Sequence, residues 1–167
     1  MQINHNLLLG GAVALGAAGS AHAETMTVSV TLPRLTVAEY HKPYVALWIE
    51  KEGAPAKTLS VWYDMGKRNN AGTKWLRDMR LWWRAGGRAL TMPADGVSGA
   101  TKGPGAQSVT FNTPLPAGNY RLVVEAAREA GGSEVVRVPF TVAANGAARG
   151  SASGKAELGA VSLTVKK

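Results

Sequence analysis

Residues 25–32 read TMTVSVTL, with Met26, Val28, Val30 and Leu32 at every second position. Side chains two apart share a face only in extended backbone, so this stretch buries one side as a strand and not as a helix. The same period recurs down the chain. Residues 44–50 (YVALWIE) set Val45, Leu47 and Ile49 against Tyr44, Ala46 and Trp48. Residues 58–64 (TLSVWYD) follow a Gly53-Ala54-Pro55 turn and read as the second arm of a hairpin. A short run, 108–112 (SVTFN), comes next. Residues 119–126 (NYRLVVEA) and 134–142 (EVVRVPFTV) read as a second hairpin around Gly131-Gly132, and 161–165 (VSLTV) as the last strand. Seven short strands between Gly and Pro turns predict an all-β fold, an immunoglobulin-like antiparallel β-sandwich. The inner face is expected to hold Val28, Val30, Val45, Leu47, Ile49, Val61, Leu122, Val124, Val136 and Val138. Pro139 lacks an N–H, which predicts an edge strand or a bulge there.

Two stretches break the period. Residues 74–85 (KWLRDMRLWWRA) space Trp75, Met79 and Trp82 or Trp83 by three or four, which predicts one short amphipathic helix closed by Gly86-Gly87. Residues 143–155 (AANGAARGSASGK) are small and polar and read as a loop. Trp48, Trp62 and Trp75 are expected in the core. Trp82 and Trp83 are adjacent and cannot share one face of a helix, so one of them is expected outside.

The first 23 residues carry no Asp, Glu, Lys or Arg. Residues 7–18 (LLLGGAVALGAA) form an apolar run too short to span a bilayer as a helix. Ala21-His22-Ala23 supplies a small-x-small cleavage pattern, which predicts a signal peptide over 1–23, a cut after Ala23 and one domain over 24–167. Retention as a membrane anchor or as a buried first helix is the other outcome. The chain has no cysteine, which excludes disulfide scaffolds, zinc–thiolate sites, thiol nucleophiles and covalently attached c-type haem. An exported chain without cysteine fits a bacterial periplasm, where disulfides are permitted and not required.

The formal charge is +8, and its source is local. Lys67, Arg68, Lys74, Arg77, Arg80, Arg84 and Arg88 stand against Asp78 alone. Basic and aromatic side chains alternate there as in single-strand nucleic-acid binders, but export leaves little nucleic acid to serve, so none is expected. A solvated helix face and a site for an anionic ligand or acidic partner both fit.

Catalytic constellations are missing. His41 is the one imidazole after the predicted cut, so a two-histidine metal site cannot form there. It lies in Tyr40-His41-Lys42-Pro43 before a strand, where a turn role is simpler than a general base. The nearest run to GxSxG, Gly96-Val97-Ser98-Gly99-Ala100, brings its second glycine one place early. Neither GxxxxGK[ST] nor GxGxxG occurs. Self-contained hydrolase chemistry is therefore not expected.

One segment stands apart: Asp95-Gly96-Val97-Ser98-Gly99-Ala100-Thr101, followed by Lys102-Gly103-Pro104-Gly105. It reads as a flexible loop of small residues bearing two hydroxyls and one carboxylate. It resembles D-x-x-[ST]-G-A-[ST], the acceptor motif of covalently flavinylated envelope proteins such as the FMN subunits of sodium-pumping quinone reductases. In those proteins a flavin transferase takes FMN from FAD and joins its phosphate to the last hydroxyl. The resemblance makes Thr101 the attachment site, Asp95 the first recognition residue, and Ser98, Gly99 and Ala100 the recognised core.

A second resemblance covers nearly all of 24–167. Tyr40-His41-Lys42-Pro43-Tyr44, Lys74-Trp75-Leu76, Leu81-Trp82-Trp83, Glu125-Ala126-Ala127-Arg128-Glu129 and Glu157-Leu158-Gly159-Ala160 look like a periplasmic family of unknown function, DUF2271. That family tends to accompany flavin transferases and PepSY-type membrane redox proteins. Many members carry a histidine in the turn where this chain has Arg128-Glu129-Ala130-Gly131, so no role for that histidine transfers. The sodium-pump subunits share the loop motif and not the scaffold. Together the resemblances imply covalent FMN on Thr101 and electron passage between a PepSY-type or other membrane redox protein and an unknown acceptor. Trp82, Trp83 and the nearby arginines are expected against the flavin. The alternative is a cofactor-free binding or accessory module that docks a partner through its basic helix.

The cleavage pattern predicts that N-terminal sequencing of envelope-extracted protein begins Glu-Thr-Met-Thr. Retention of the apolar run would favour the anchor.

Overall fold

The computed structural model describes residues 24–167; the apolar run and the cleavage pattern at Ala21-His22-Ala23 lie outside the described residues. Nine strands are formed among the described residues: β1 (Thr25–Leu32), β2 (Tyr44–Glu50), β3 (Lys57–Tyr63), β4 (Ser98–Ala100), β5 (Gly105–Asn112), β6 (Gly118–Ala127), β7 (Ser133–Val142), β8 (Ala148–Ser153) and β9 (Ala160–Lys166). They make two sheets, β5-β1-β9-β8 and β4-β3-β2-β6-β7. Every pairing is antiparallel except β3 with β4. The fold is the expected all-β sandwich.

The core between the sheets follows the period of two. Met26, Val28, Val30 and Leu32 meet Val45, Leu47, Leu122, Val124 and Val138 across the interface, all buried. Val61 is a correction. It lies on the opposite face of the five-stranded sheet, in a second apolar cluster. The cause is a register shift opposite Leu47–Trp48, where Ser60 pairs Leu47 but Thr58 pairs Trp48. The extra residue, Leu59, turns inward with Trp62 and sends Val61 and Tyr63 outward.

The five-stranded sheet is thus apolar on both faces, and its outer face is roofed by residues 68–89. The single helix expected over 74–85 is broken. Turns of 3-10 helix occupy Arg68–Asp78, and a short α-helix, α1, spans Arg80–Ala85. The break is at Met79, whose ψ of 74° leaves the helical region. Leu76, Met79 and Trp82 are buried against Ala46, Trp48, Val61 and Val123. Gly87 lies so close to the Trp82 indole that a Cβ there would sit 2.7 Å from it. Trp82 is therefore core. Trp75, expected in the core, is 40% exposed, and its neighbour Leu76 takes the inward position instead. Trp83 is half-buried at the roof's edge.

A buried carboxylate fastens the roof. Glu125 on β6 is 4% exposed and accepts hydrogen bonds from the N–H groups of Leu81 (3.1 Å) and Trp82 (2.7 Å), the first turn of α1. These are amides that a helix cannot satisfy internally, and a negative charge suits that end of the helix dipole. The Trp82 indole N–H donates to Thr58 Oγ1 at 3.0 Å.

β4 and β8 fall where loops were expected. β8 (ARGSAS) has little apolar alternation because it is the end strand of its sheet and packs against β7. Gly150 shows why its residues are small: a Cβ there would lie 2.9 Å from Val138 Cγ1 and 3.1 Å from the Pro139 carbonyl oxygen. β7 is itself an edge strand, as Pro139 predicted.

Replacing Glu125 by alanine leaves two buried amides without acceptors, and it should cost about 1–3 kcal/mol in urea denaturation. Glu52→Ala, on an exposed turn, should stay within about 0.5 kcal/mol.

Candidate functional site

The motif residues are held by the sheet rather than left in a flexible loop. Ser98, Gly99 and Ala100 are β4, paired in parallel with Val61, Trp62 and Tyr63. The preceding turn is tight. The Ala94 carbonyl accepts from the N–H groups of Val97 (3.2 Å) and Ser98 (2.9 Å), and Ser98 Oγ accepts from Ala94 N–H at 2.8 Å. Gly96 takes φ +70°, a left-handed conformation that suits glycine. Gly99 faces Trp62, and a Cβ there would stand 3.2 Å from the indole. Thr101 follows the strand, its N–H donating to the Tyr63 carbonyl at 3.2 Å.

Ser98 and Gly99 therefore have structural duties. Asp95 and Thr101 do not. Asp95 is exposed, and neither its carboxylate nor the Thr101 hydroxyl has a hydrogen-bond or ion-pair partner among the described residues.

Thr101 lines a cavity of about 530 Å3, within the size range of small-molecule sites. The cavity sits at the end of the five-stranded sheet where β2 begins and β3, β4 and β6 finish. Its walls include Tyr40, Tyr44 and Trp75, with Lys42, Lys67 and Arg128 as cations and Asp64, Asp78 and Glu129 as carboxylates. Trp75 is held by Lys67, whose Nζ lies 4.3 Å from the ring centroid and 3.7 Å from the Asp64 carboxylate. The Tyr44 hydroxyl donates to the Gly72 carbonyl at 3.0 Å. Burial, with the nearby Asp64 and Glu129 carboxylates, pushes its phenol pKa above the ordinary value, so it stays a neutral donor. His41, expected as a turn residue, lies between Glu39 (3.1 Å) and Glu129 (3.8 Å) on the cavity wall.

Arg128 enters from the turn between β6 and β7. Its side chain is 5% exposed and makes a two-point contact with Glu157, Nε to Oε2 at 2.8 Å and Nη2 to Oε1 at 3.0 Å. The Glu157 hydrogen bond, opposed by burial, raises the guanidinium pKa further, so this group is charged at every relevant pH. Its third nitrogen, Nη1, is buried without any acceptor. The site thus holds a committed cation with donor capacity left over.

Trp82 and Trp83, expected against a cofactor, do not line this cavity. Trp75 does. Sequence spacing could not separate them, because Trp75 stands at a helical interval from either Trp82 or Trp83. A clue did exist: Tyr40-His41-Lys42, Lys74-Trp75 and Ala127-Arg128-Glu129 belong to the family-like segments, and all contribute to the cavity walls.

The family comparison agrees with these segments. The pattern of the family described as predicted periplasmic protein (DUF2271) matches residues 25–160. The chain belongs to the DUF2271 family. No curated protein and no solved structure matches it. Among the described residues no group of three or more His, Asp or Glu is arranged to hold a metal ion.

Removing Glu157 strands the Arg128 charge in a buried setting. Glu157→Ala should cost about 3–5 kcal/mol in denaturant unfolding, whereas Arg128→Met with Glu157→Leu together should cost much less.

Proposed function

We propose that this DUF2271 protein is an exported electron carrier bearing FMN as a phosphoester on Thr101. One observation carries the reading: the motif's attachment residue, with a hydroxyl free of protein partners, lines an aromatic cavity of mixed charge and of ligand size. Attachment needs a flavin transferase and FAD. Thr101 Oγ1 bonds to the FMN phosphorus, the pyrophosphate P–O bond breaks, AMP leaves, and the hydroxyl proton passes to a base of the transferase. Asp95, exposed and unpaired, is the recognition carboxylate. Ser98, Gly99 and Ala100 present the threonine from an edge strand whose outer side is open to the enzyme.

The cavity suits the group chemically. Trp75 offers an indole for stacking, Lys42 and Lys67 offer charge to an anion, and Arg128 Nη1 is a buried donor in want of an acceptor. When bound, a flavin supplies one- and two-electron chemistry. The chain's own work would be to position the ring and limit water. A phosphoester also prevents loss of the cofactor outside the cytoplasm. The family's predicted periplasmic character supports export. The proposal adds a cut after Ala23 and a PepSY-type or other membrane redox protein as donor or recipient.

Co-expression of the exported chain with an active flavin transferase should give a fluorescent band in a denaturing gel and an FMN-bearing peptide containing Thr101. Thr101→Ala should abolish the label with stability changed by less than about 0.5 kcal/mol. Thr101→Ser should keep part of it, and Asp95→Ala should lower it. A colourless wild type beside an active transferase overturns the reading and leaves the cofactor-free docking module. Label on Ser98 keeps the chemistry and moves the site.

A further inference from the structure

We infer that the outer face of the roof, residues 77–88, is a docking surface for a carboxylate-rich protein. Arg80 and Arg84 stand one turn apart on α1, and Arg77 and Arg88 flank them on the neighbouring 3-10 turns. All four are exposed. None has a carboxylate within ion-pair distance among the described residues, and neither do Arg68 and Lys74 in the same segment.

This arrangement works against the fold that carries it. Like charges four apart on a helix repel. Arg80 also places a cation at the N-terminal end of α1, where the helix dipole favours an anion, and the first turn holds no acidic residue of its own. Glu125 offsets that from beneath. A merely solvated face has no need of such a cluster, whereas a surface that steers an acidic partner does.

The surface favours a protein over a bilayer. A helix that lies in a membrane interface turns apolar side chains toward the lipid. Here Leu76, Met79 and Trp82 are spent inward on the sheet. Arginine dominates the face, and the exposed large apolar residues Trp75 and Leu90 flank it in sequence. Arginine, methionine and aromatic side chains are the types enriched where proteins meet, and the guanidinium fork matches a carboxylate at two points. Trp75 also lines the Thr101 cavity, so a partner bound here lies beside the proposed flavin. The redox use of the surface rests on that reading; the binding does not.

The test uses fluorescein-labelled poly-L-glutamate as probe, read by polarisation at low salt. It is run on the exported chain with and without transferase treatment. Two variants lose the same net charge: Arg77, Arg80, Arg84 and Arg88 to Gln, and, as control, Arg34, Lys57, Arg137 and Arg149 to Gln, all exposed. The first should bind at least about tenfold more weakly than wild type, and the control no more than roughly threefold. The difference should collapse near 0.5 M salt, where the screening length is only about 4 Å. Equal losses in both variants overturn the proposal, leaving net charge as the cause. Roof-dependent binding to phosphatidylglycerol vesicles that exceeds binding to the polypeptide overturns it in favour of a membrane. Probe binding by a chain that never takes flavin keeps the surface and removes the cofactor.

Discussion

A five-stranded sheet that is apolar on both faces has to be covered twice. The four-stranded sheet covers one side, and residues 68–89 cover the other. Trp48, Val61, Tyr63 and Val123 would otherwise face water, and burying such side chains is worth about 1.5–3 kcal/mol each. The roof is too irregular to be stable alone, with two asparagines at positive φ (Asn69 and Asn70) and only six α-helical residues. Packing and the Glu125 carboxylate hold it instead. Once the roof is placed, Trp75 projects past the end of the sheet and the cavity acquires its wall. The same placement leaves the arginines outward. Site and surface are both consequences of covering one sheet.

The acidic residues explain the sign of that surface. Several carboxylates are committed to backbone amides inside the fold. Glu125 caps α1, and Glu24 accepts from Leu115 N–H at 2.7 Å. Glu134 accepts from Lys155, Ala156 and Leu158, ordering the approach to β9. Burial opposes its ionisation, but those amides prevail and hold its carboxyl below the ordinary range. Glu157 is paired to Arg128 and Gly132. With only 11 acids against 19 bases, carboxylates spent on backbone amides are not available to the cations outside.

The sandwich was legible because an inner face needs alternation, and alternation survives in sequence. What was not legible follows from places where that rule lapses. The bulge at Leu59 reversed the facing of Val61, since one inserted residue inverts a period of two. β8 was hidden because close approach to β7 requires glycine and alanine, which read as loop. Trp75 and Trp82 shared a spacing, but the break at Met79 parted them. The cavity draws on residues from 40 to 130, so no local pattern could announce it. Thr101 was marked in advance through its motif, and the other walls only through the family-like segments.

The motif itself can be divided by asking what the fold requires. Ser98 holds the turn through Ala94, so its hydroxyl has a structural reason. Gly99 leaves room for the Trp62 indole, so its missing side chain has one too. An ordinary edge strand on this sheet would select both without any flavin. Nothing in the fold selects Asp95, whose carboxylate meets only solvent, or the hydroxyl of Thr101, which meets only the cavity. Those are the two groups that the proposed transferase would read and modify. The small residues of the segment are what packing demands, and its carboxylate and free hydroxyl are what packing leaves over. A chemical role is the economical account of that remainder.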